Sequence, residues 1–511
     1  MKVSSAVHPV TPPLSRGQGL VAGAGAALAL AATYWDDSWH TDKGRDEFAI
    51  PPHLLLYGGV LLASLAVLAW AVGAWRPAPS RPLGRLLGDP ALLLAGVGGM
   101  TTLASAPLDN AWHEAYGRDA VLWSPPHLLA VAGTLALSVG VLAGLRATTG
   151  RGATAARLLA AAGVTGALQV PVLEYDSDVP QFSTFWYLPV AALGVCIAVA
   201  LLEDLLPGRW EAARAAAVYT AVRVAVVGLL AVLGFSLTVV PPLVVLSILA
   251  SGFASRPLSY RLVAVGALSP LVWWPVLRAQ GDIASQVPAA QLPSAVILGA
   301  VAGAIVALLH GDWSTSRSRP ALGAQSVIAL ALFAVTVVAS PAPAWAHDPG
   351  QGATVVEGHL TVERRQGRAE LTLELPRSCR GLTPGRVVAR RAGQVRPGPV
   401  TVVDVPGGNG CAVRGAVAGL TPGRWFVYAE LRDRNGHRLE AWLPVAEDSR
   451  VSMARPLYEP PAAKSGRARD LGGAVLLLVV AGLVAGCLRL SKLAATGGSV
   501  GRFRPAGALP R

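Results

Sequence analysis

Long apolar runs, separated by short polar loops, set the pattern of most of the chain. Stretches such as 54–75, 127–145, 186–202 and 322–341 carry almost no charge and are long enough to cross a hydrocarbon core of ~30 Å. In lipid every backbone polar group must be satisfied internally, so these runs are predicted to be helices. The pattern places them near 18–35, 53–75, 89–108, 126–145, 156–173, 184–203, 213–236, 240–255, 261–279, 293–310, 322–345 and 471–490. The pair Pro241-Pro242 divides a stretch that also fits one long bent helix. Two helices are preferred because they keep the loop charges alternating.

Residues 346–470 follow another rhythm. Apolar and polar positions alternate in Gly358-His359-Leu360-Thr361-Val362-Glu363 and in Glu370-Leu371-Thr372-Leu373-Glu374-Leu375. Turn residues such as Thr383-Pro384-Gly385, Gly407-Gly408-Asn409-Gly410 and Asn435-Gly436 separate the runs, as they do in a β-sandwich. The expected fold is therefore a polytopic α-helical membrane protein of about 12 transmembrane helices with one exported β-sandwich domain. Its expected parts are a cytoplasmic tail (1–17), duplicated hairpins (18–210), further helices (211–345), the β domain (346–470), a last helix (471–490) and a basic cytoplasmic tail (491–511).

Composition supports the membrane reading: 53% of residues are hydrophobic and 14% charged, against about 25% charged in soluble proteins. The net charge of +13 is no nucleic-acid signal, because the arginines sit in short alternate loops rather than among stacking aromatics. Examples are Arg76, Arg81 and Arg85, then Arg146, Arg151 and Arg157, then Arg209 and Arg214. Acidic loops alternate with them, as the positive-inside rule produces in a plasma membrane. The loops 36–50, 109–124 and 174–182 then face outward, together with 346–470. The run 322–345 ends Ala344-Trp345-Ala346-His347, which reads as a transmembrane helix or as a signal-like segment cleaved after Ala346. Cys379 and Cys411, 32 residues apart in the exported part, are expected to form a disulfide. Cys196 and Cys487 lie in apolar helices and read as small buried hydrophobes.

An internal repeat carries the candidate chemistry. Asp36-Asp37-Ser38-Trp39-His40, Gly44-Arg45-Asp46 and Pro51-Pro52-His53-Leu54-Leu55 return as Asp109-Asn110-Ala111-Trp112-His113, Gly117-Arg118-Asp119 and Pro125-Pro126-His127-Leu128-Leu129. Each copy leaves one helix, crosses an outward loop and enters the next. Asp36 and His40 share a helix face at a spacing of four, and the Pro-Pro pair suits a first helical turn, which puts His53 at the same surface. One carboxylate and two imidazoles suit copper, with zinc or iron as alternatives; Asp109, His113 and His127 repeat the set. Arg45, Asp46, Arg118 and Asp119 are placed to pair with the ligands or accept an imidazole N–H. A scaffold whose loops only pair charges would need the Asp and Arg residues but not both histidines. The third loop, Glu174 to Gln181, keeps acids and a proline without histidine, and reads as a polar lid in preference to a decayed third copy.

The pattern Asp-x-x-Trp-His-x4-Arg-Asp-x-Phe-x-x-Pro-x-His over residues 36–53 resembles the metal-binding segment of the C subunit of copper membrane monooxygenases, the particulate methane and ammonia monooxygenases. The resemblance implies copper at Asp36, His40 and His53, and at Asp109, His113 and His127 in the second copy, which has one more residue before Pro125. It also implies other membrane subunits as partners. The rest of the chain departs from the family, and the duplication is not part of its pattern. Separately, Leu420-Thr421-Pro422-Gly423-Arg424-Trp425 with Asp433-Arg434-Asn435-Gly436-His437 resembles the late strands of immunoglobulin-like bacterial copper-handling domains. His347, His359 and His437 are the candidate ligands of a second metal site in that domain.

These residues point to a membrane copper protein that either oxidises a small apolar substrate or holds copper without catalysis. Copper transport is the alternative. A transporter should carry polar groups at mid-membrane depth, and the apolar runs show almost none.

Overall fold

The computed structural model describes residues 13–43, 49–75, 89–116, 122–176, 183–206, 208–280, 287–315, 353–391, 394–404, 410–459 and 467–497. The helices are α1 (Arg16–Lys43), α2 (Pro51–Trp75), α3 (Pro90–Tyr116), α4 (Pro125–Gly144), α5 (Arg151–Gln169), α6 (Tyr187–Leu205), α7 (Glu211–Val232), α8 (Leu243–Gly252), α9 (Leu258–Ala279), α10 (Leu292–Thr315) and α11 (Arg467–Gly497). Among the described residues, nine helices are long and apolar enough to cross a membrane. The expected helix 322–345 lies outside the described residues. Leu54, Leu61, Leu65 and Leu68 of α2 are exposed, an outer surface that suits hydrocarbon better than water.

The two hairpins of the repeat, α1/α2 and α3/α4, are built around the same close crossing. A Cβ at Gly25 would lie 2.6 Å from the Gly59 carbonyl oxygen, and one at Gly59 would lie 2.7 Å from the Ala29 nitrogen. Gly98 and Gly133 take these places in the second hairpin: a Cβ at Gly98 would meet the Gly133 oxygen at 2.6 Å, and one at Gly133 the Thr102 nitrogen at 2.9 Å. The glycine pairs keep the register of the Asp and His residues, so the duplication covers whole hairpins and not only their loops. Small residues at a crossing let two backbones approach closely where lipid offers no hydrophobic drive for helix association.

The expected helix over 240–255 is shorter than its apolar run. Pro241 and Pro242 lack N–H donors and disfavour helix in the residues before them, so 235–242 forms neither helix nor strand and α8 starts at Leu243. Ten residues span only ~15 Å. Pro171 similarly converts the end of the predicted helix over 156–173 into a 3-10 turn, Val170–Tyr175. At the end of the bundle opposite to where α1 finishes, the Asp204 carboxylate receives His310 Nε2 at 2.8 Å and the Ser491 hydroxyl at 2.9 Å. His310 therefore helps tie α6, α10 and α11 together.

Among its described residues the β domain holds nine strands: β1 (Ala353–Arg365), β2 (Arg368–Leu375), β3 (Thr383–Arg391), β4 (Gln394–Gly398), β5 (Val400–Asp404), β6 (Cys411–Ala418), β7 (Trp425–Arg432), β8 (Arg438–Val445) and β9 (Arg450–Glu459). Where two stacked sheets were expected, they form one antiparallel sheet in the order β4-β3-β7-β8-β9-β1-β2-β6-β5. The sheet curls until its edges nearly meet: a Cβ at Gly398 of β4 would clash with the Ala416 carbonyl of β6, and one at Gly415 of β6 with the Val387 side chain of β3. Leu371, Leu373, Val413, Trp425 and Val427 fill the interior. Val388, Phe426, Tyr428, Trp442 and Tyr458 are buried on the outer face, so β7 and β8 are covered on both sides. The Cys379–Cys411 disulfide is formed, joining the β2–β3 connection to the start of β6.

Two outcomes follow. Gly133→Leu should lower the melting temperature of the purified chain, because overpacking a tight crossing costs ~1–3 kcal/mol; an unchanged transition would contradict the close contact. Cys411→Ser should destabilise the β domain by ~3–4 kcal/mol, the loop-closure value for a loop of this length, read as a shift in its denaturant midpoint within the full chain.

Candidate metal centre

Helix α1 runs on past its apolar stretch to Lys43, so Asp36 and His40 lie on one helical face. His53 enters from the first turn of α2, which Pro51 and Pro52 open. The three side chains converge. Asp36 Oδ1 lies 3.4 Å from His40 Nε2 and 3.2 Å from His53 Nε2. One donor atom from each residue can be chosen so that all lie within 4.8 Å of one another, and the imidazole centroids are 6.0 Å apart. Charge-assisted N–H···O bonds are ~2.7–2.9 Å, whereas ligand atoms around an ion bound at ~2.0–2.1 Å stand about 3.3 Å apart. Asp36 Oδ1 is buried and faces both imidazoles. The donor types and their spacing thus fit a small, imidazole-preferring transition-metal ion.

In the second hairpin Asp109 Oδ2 stands 3.3 Å from His127 Nε2, the counterpart of the Asp36–His53 pair. The side chain of His113 lies outside the described residues, as do Arg45, Asp46, Arg118 and Asp119. The tryptophans of the repeat do other work. Trp39 stacks on Phe235 at 6.0 Å, and Trp112 lies against Gly472 and Gly473 of α11. Each hairpin is thereby fastened to a neighbouring element.

Both donor sets open onto one cavity of about 170 Å³. Asp36, His40, His53, Asp109 and His127 contribute to its lining, together with apolar residues such as Leu30, Val60, Leu103 and Val131. Thr33, Thr102, Ser105 and Thr134 add hydroxyls to the wall. Sequence spacing could place each donor set on a hairpin; that the two hairpins share a cavity follows only from their packing.

Glu174 and Asp176, the described acids of the third loop, act as buried braces. Glu174 accepts the Leu122 N–H at 3.1 Å, tying this loop to the second hairpin. Asp176 receives Arg223 Nη2 at 3.3 Å, the Val239 N–H at 3.1 Å and the Tyr187 hydroxyl. Burial pushes the Asp176 carboxyl up to about 6, against the opposing pull of the Arg223 guanidinium. Residues 177–182 lie outside the described residues.

Arg223 is the functional-looking residue that the sequence reading passed over. It is 1% exposed, midway along α7, and donates from Nε to the Val239 carbonyl at 2.9 Å. Its guanidinium covers the Tyr34 ring at 3.5 Å, and Tyr34 shares a 2.7 Å hydrogen bond with Tyr219. The expectation of almost no polar groups within the bundle is corrected at this point. The signal was available as a lone arginine in the apolar run Ala221-Val222-Arg223-Val224-Ala225. Its need was not visible, because it arises from the irregular segment at Val239, whose backbone would otherwise be unsatisfied.

The candidate second metal site does not assemble from His359 and His437. His359 sits beside Ser452 near the start of β9, and His437 beside Glu459 at its end. Seven strand residues at ~3.3 Å each hold those ends ~20 Å apart. His347 lies outside the described residues.

Comparison with family models, with curated proteins and with solved structures gives no match.

Replacing Arg223 by Met should destabilise the bundle by ~3–5 kcal/mol, since it strands a buried carboxylate. Adding Asp176→Asn to Arg223→Met should recover part of that loss. Thermal unfolding of the three purified proteins checks both, and additive effects would contradict the pairing.

Proposed function

We propose that this chain is a membrane copper protein related to the copper membrane monooxygenases, holding its metal at Asp36, His40 and His53. The observation that carries the reading is the convergence of the three donor atoms onto a common point from two helices. Asp109 and His127 face each other on the same cavity, and the sequence repeat assigns His113 to this second set. When bound, copper supplies one-electron redox chemistry and Lewis acidity. The protein's part is to fix a carboxylate and two imidazoles at a helix end, beside a mostly apolar cavity of about 170 Å³ whose size suits a small apolar substrate. Zinc and iron suit the same donors less specifically.

The same reading places residues 346–470 outside the cytoplasm of a cell-membrane protein, on the side of the metal centre. In its support, Arg455 of β9 hydrogen-bonds the Thr41 carbonyl at the end of α1, while α10 finishes at the opposite end beside Asp204. A span over 322–345 accounts for the change of ends. A second reading, copper delivery without oxidation, is favoured by the access to the trio, whose side chains keep 16–21% of their surface exposed.

The test is metal analysis of the purified, copper-loaded chain after desalting. The wild type should retain copper. Asp36→Ala/His40→Ala/His53→Ala should lose the first equivalent, and Asp109→Ala/His127→Ala should leave that equivalent in place. A wild type that retains no metal above background, or a triple variant with unchanged copper, overturns the reading. Copper-dependent dioxygen uptake with a small alkane or alkene and a reductant decides between oxidation and delivery.

A further inference from the structure

The two hairpins match from their glycine crossings to their donor residues, yet their outer ends are held differently. Helix α1 reaches the β domain. Its last turn leaves carbonyls without intrahelical partners, and the Thr41 carbonyl, next to His40, accepts Arg455 Nη2 at 3.1 Å. Arg455 is 3% exposed, and its guanidinium lies over the Trp442 ring of β8 at 4.6 Å. A cation at a helix C-terminus is favourable, and this one is held on an aromatic shelf inside a rigid sheet. Asp42, the next residue of α1, takes both the N–H and the hydroxyl of Ser236 at 2.6 Å. Arg424 and Arg455 also act on Asp42 electrostatically. Trp35 and Trp39 meet Phe235 on the same connection between α7 and α8. The turn that carries Asp36 and His40 is thus gripped from the β domain at its end and from the α7–α8 connection along its side.

We infer that the β domain sets the affinity of the Asp36/His40/His53 centre through Arg455, a positioning residue that holds the end of α1 in register with His53. This rests on the metal reading of the trio. His40 comes from α1 and His53 from α2, so a small slide or fraying of the last turn of α1 separates the imidazoles. Docking of the β domain on Thr41 opposes that movement. Linkage makes the effect reciprocal: an ion that favours the docked geometry strengthens docking by the factor with which docking strengthens ion binding. Couplings of this kind are typically about 5- to 150-fold. The hydrogen bond and stacking contact at Arg455 point to the lower part of that range.

The experiment uses the full chain in detergent or nanodiscs, titrated with cupric ion. Arg455→Met keeps the length of the side chain and removes its donors and charge. It should weaken cupric ion binding about 5- to 20-fold and change the hyperfine pattern of the bound ion in electron paramagnetic resonance. Arg455→Lys should restore most of the affinity. Hydrogen exchange of the β8 and β9 amides should slow on adding cupric ion in the wild type and not in Arg455→Met. Arg365→Met, on the exposed β1–β2 turn, is the control and should bind as the wild type does. If Arg455→Met does not fold, Trp442→Phe gives the same test with a weaker shelf and the shift should keep its direction. Wild-type affinity and an unchanged spectrum in the folded Arg455 or Trp442 variant overturn this inference and leave the metal centre standing. No cupric ion bound by the wild type overturns the metal centre itself, and the inference with it.

Discussion

The close backbone crossing within each hairpin is the constraint on which the donor geometry depends. In lipid, helices gain little from burying apolar surface against each other, so their separation is decided by packing at the crossing point. Gly25 against Gly59, and Gly98 against Gly133, bring the two helices of each hairpin into backbone contact. From there the helices run a fixed number of turns to their outer ends, and the carboxylate of one helix reaches the imidazole of the next. A bulkier residue at the crossing would tilt or separate the helices and move the donors by more than the tolerance of a metal–ligand bond.

A second constraint, satisfying backbone groups inside the bundle, explains the polar network beside the site. Pro241 and Pro242 stop a helix from forming where the apolar run predicts one, and leave Val239 and Val240 outside regular structure within the bundle. The N–H and carbonyl of Val239 are taken up by Asp176 and Arg223, and the Val240 N–H by the Gln280 side chain. The charged pair is therefore bound up with the broken span. Its aromatic partners, Tyr34 and Tyr219, connect that span to α1 two residues before Asp36. Irregular backbone, buried charge and the helix that carries Asp36 and His40 form one continuous structure, with Asp176 as its brace.

The β domain adds a grip from outside the bundle. β7 and β8 are buried on both faces, unlike strands of a freely solvated barrel, and Arg455 extends from that doubly buried region to the end of α1. The asymmetry between the hairpins lies here. Their helices repeat one another, but α1 ends on the β domain, while α3 packs through Trp112 on α11. Two copies of one sequence motif thus occupy different mechanical settings, which gives a duplicated site the means to diverge in affinity.

Much of this architecture was legible in the residue pattern, because both solvents impose strict local rules. Most of the described apolar runs become helices, because lipid leaves their backbone groups no other partners, alternating runs split by turn residues become strands, and the two cysteines of the β domain join. The repeat likewise showed that Asp36, His40 and His53 belong together, since their spacing fixes a helix face and a hairpin return. Other features belong to the tertiary structure alone. The need for Arg223 comes from a backbone segment sixteen residues away, where two prolines break a span. The separation of His359 from His437 comes from strand register. The shared cavity and the Arg455–Thr41 contact join parts of the chain that no periodicity relates. Local sequence decides which groups a helix or strand presents; which of them meet is decided by helix crossings and domain docking, whose contacts span hundreds of residues.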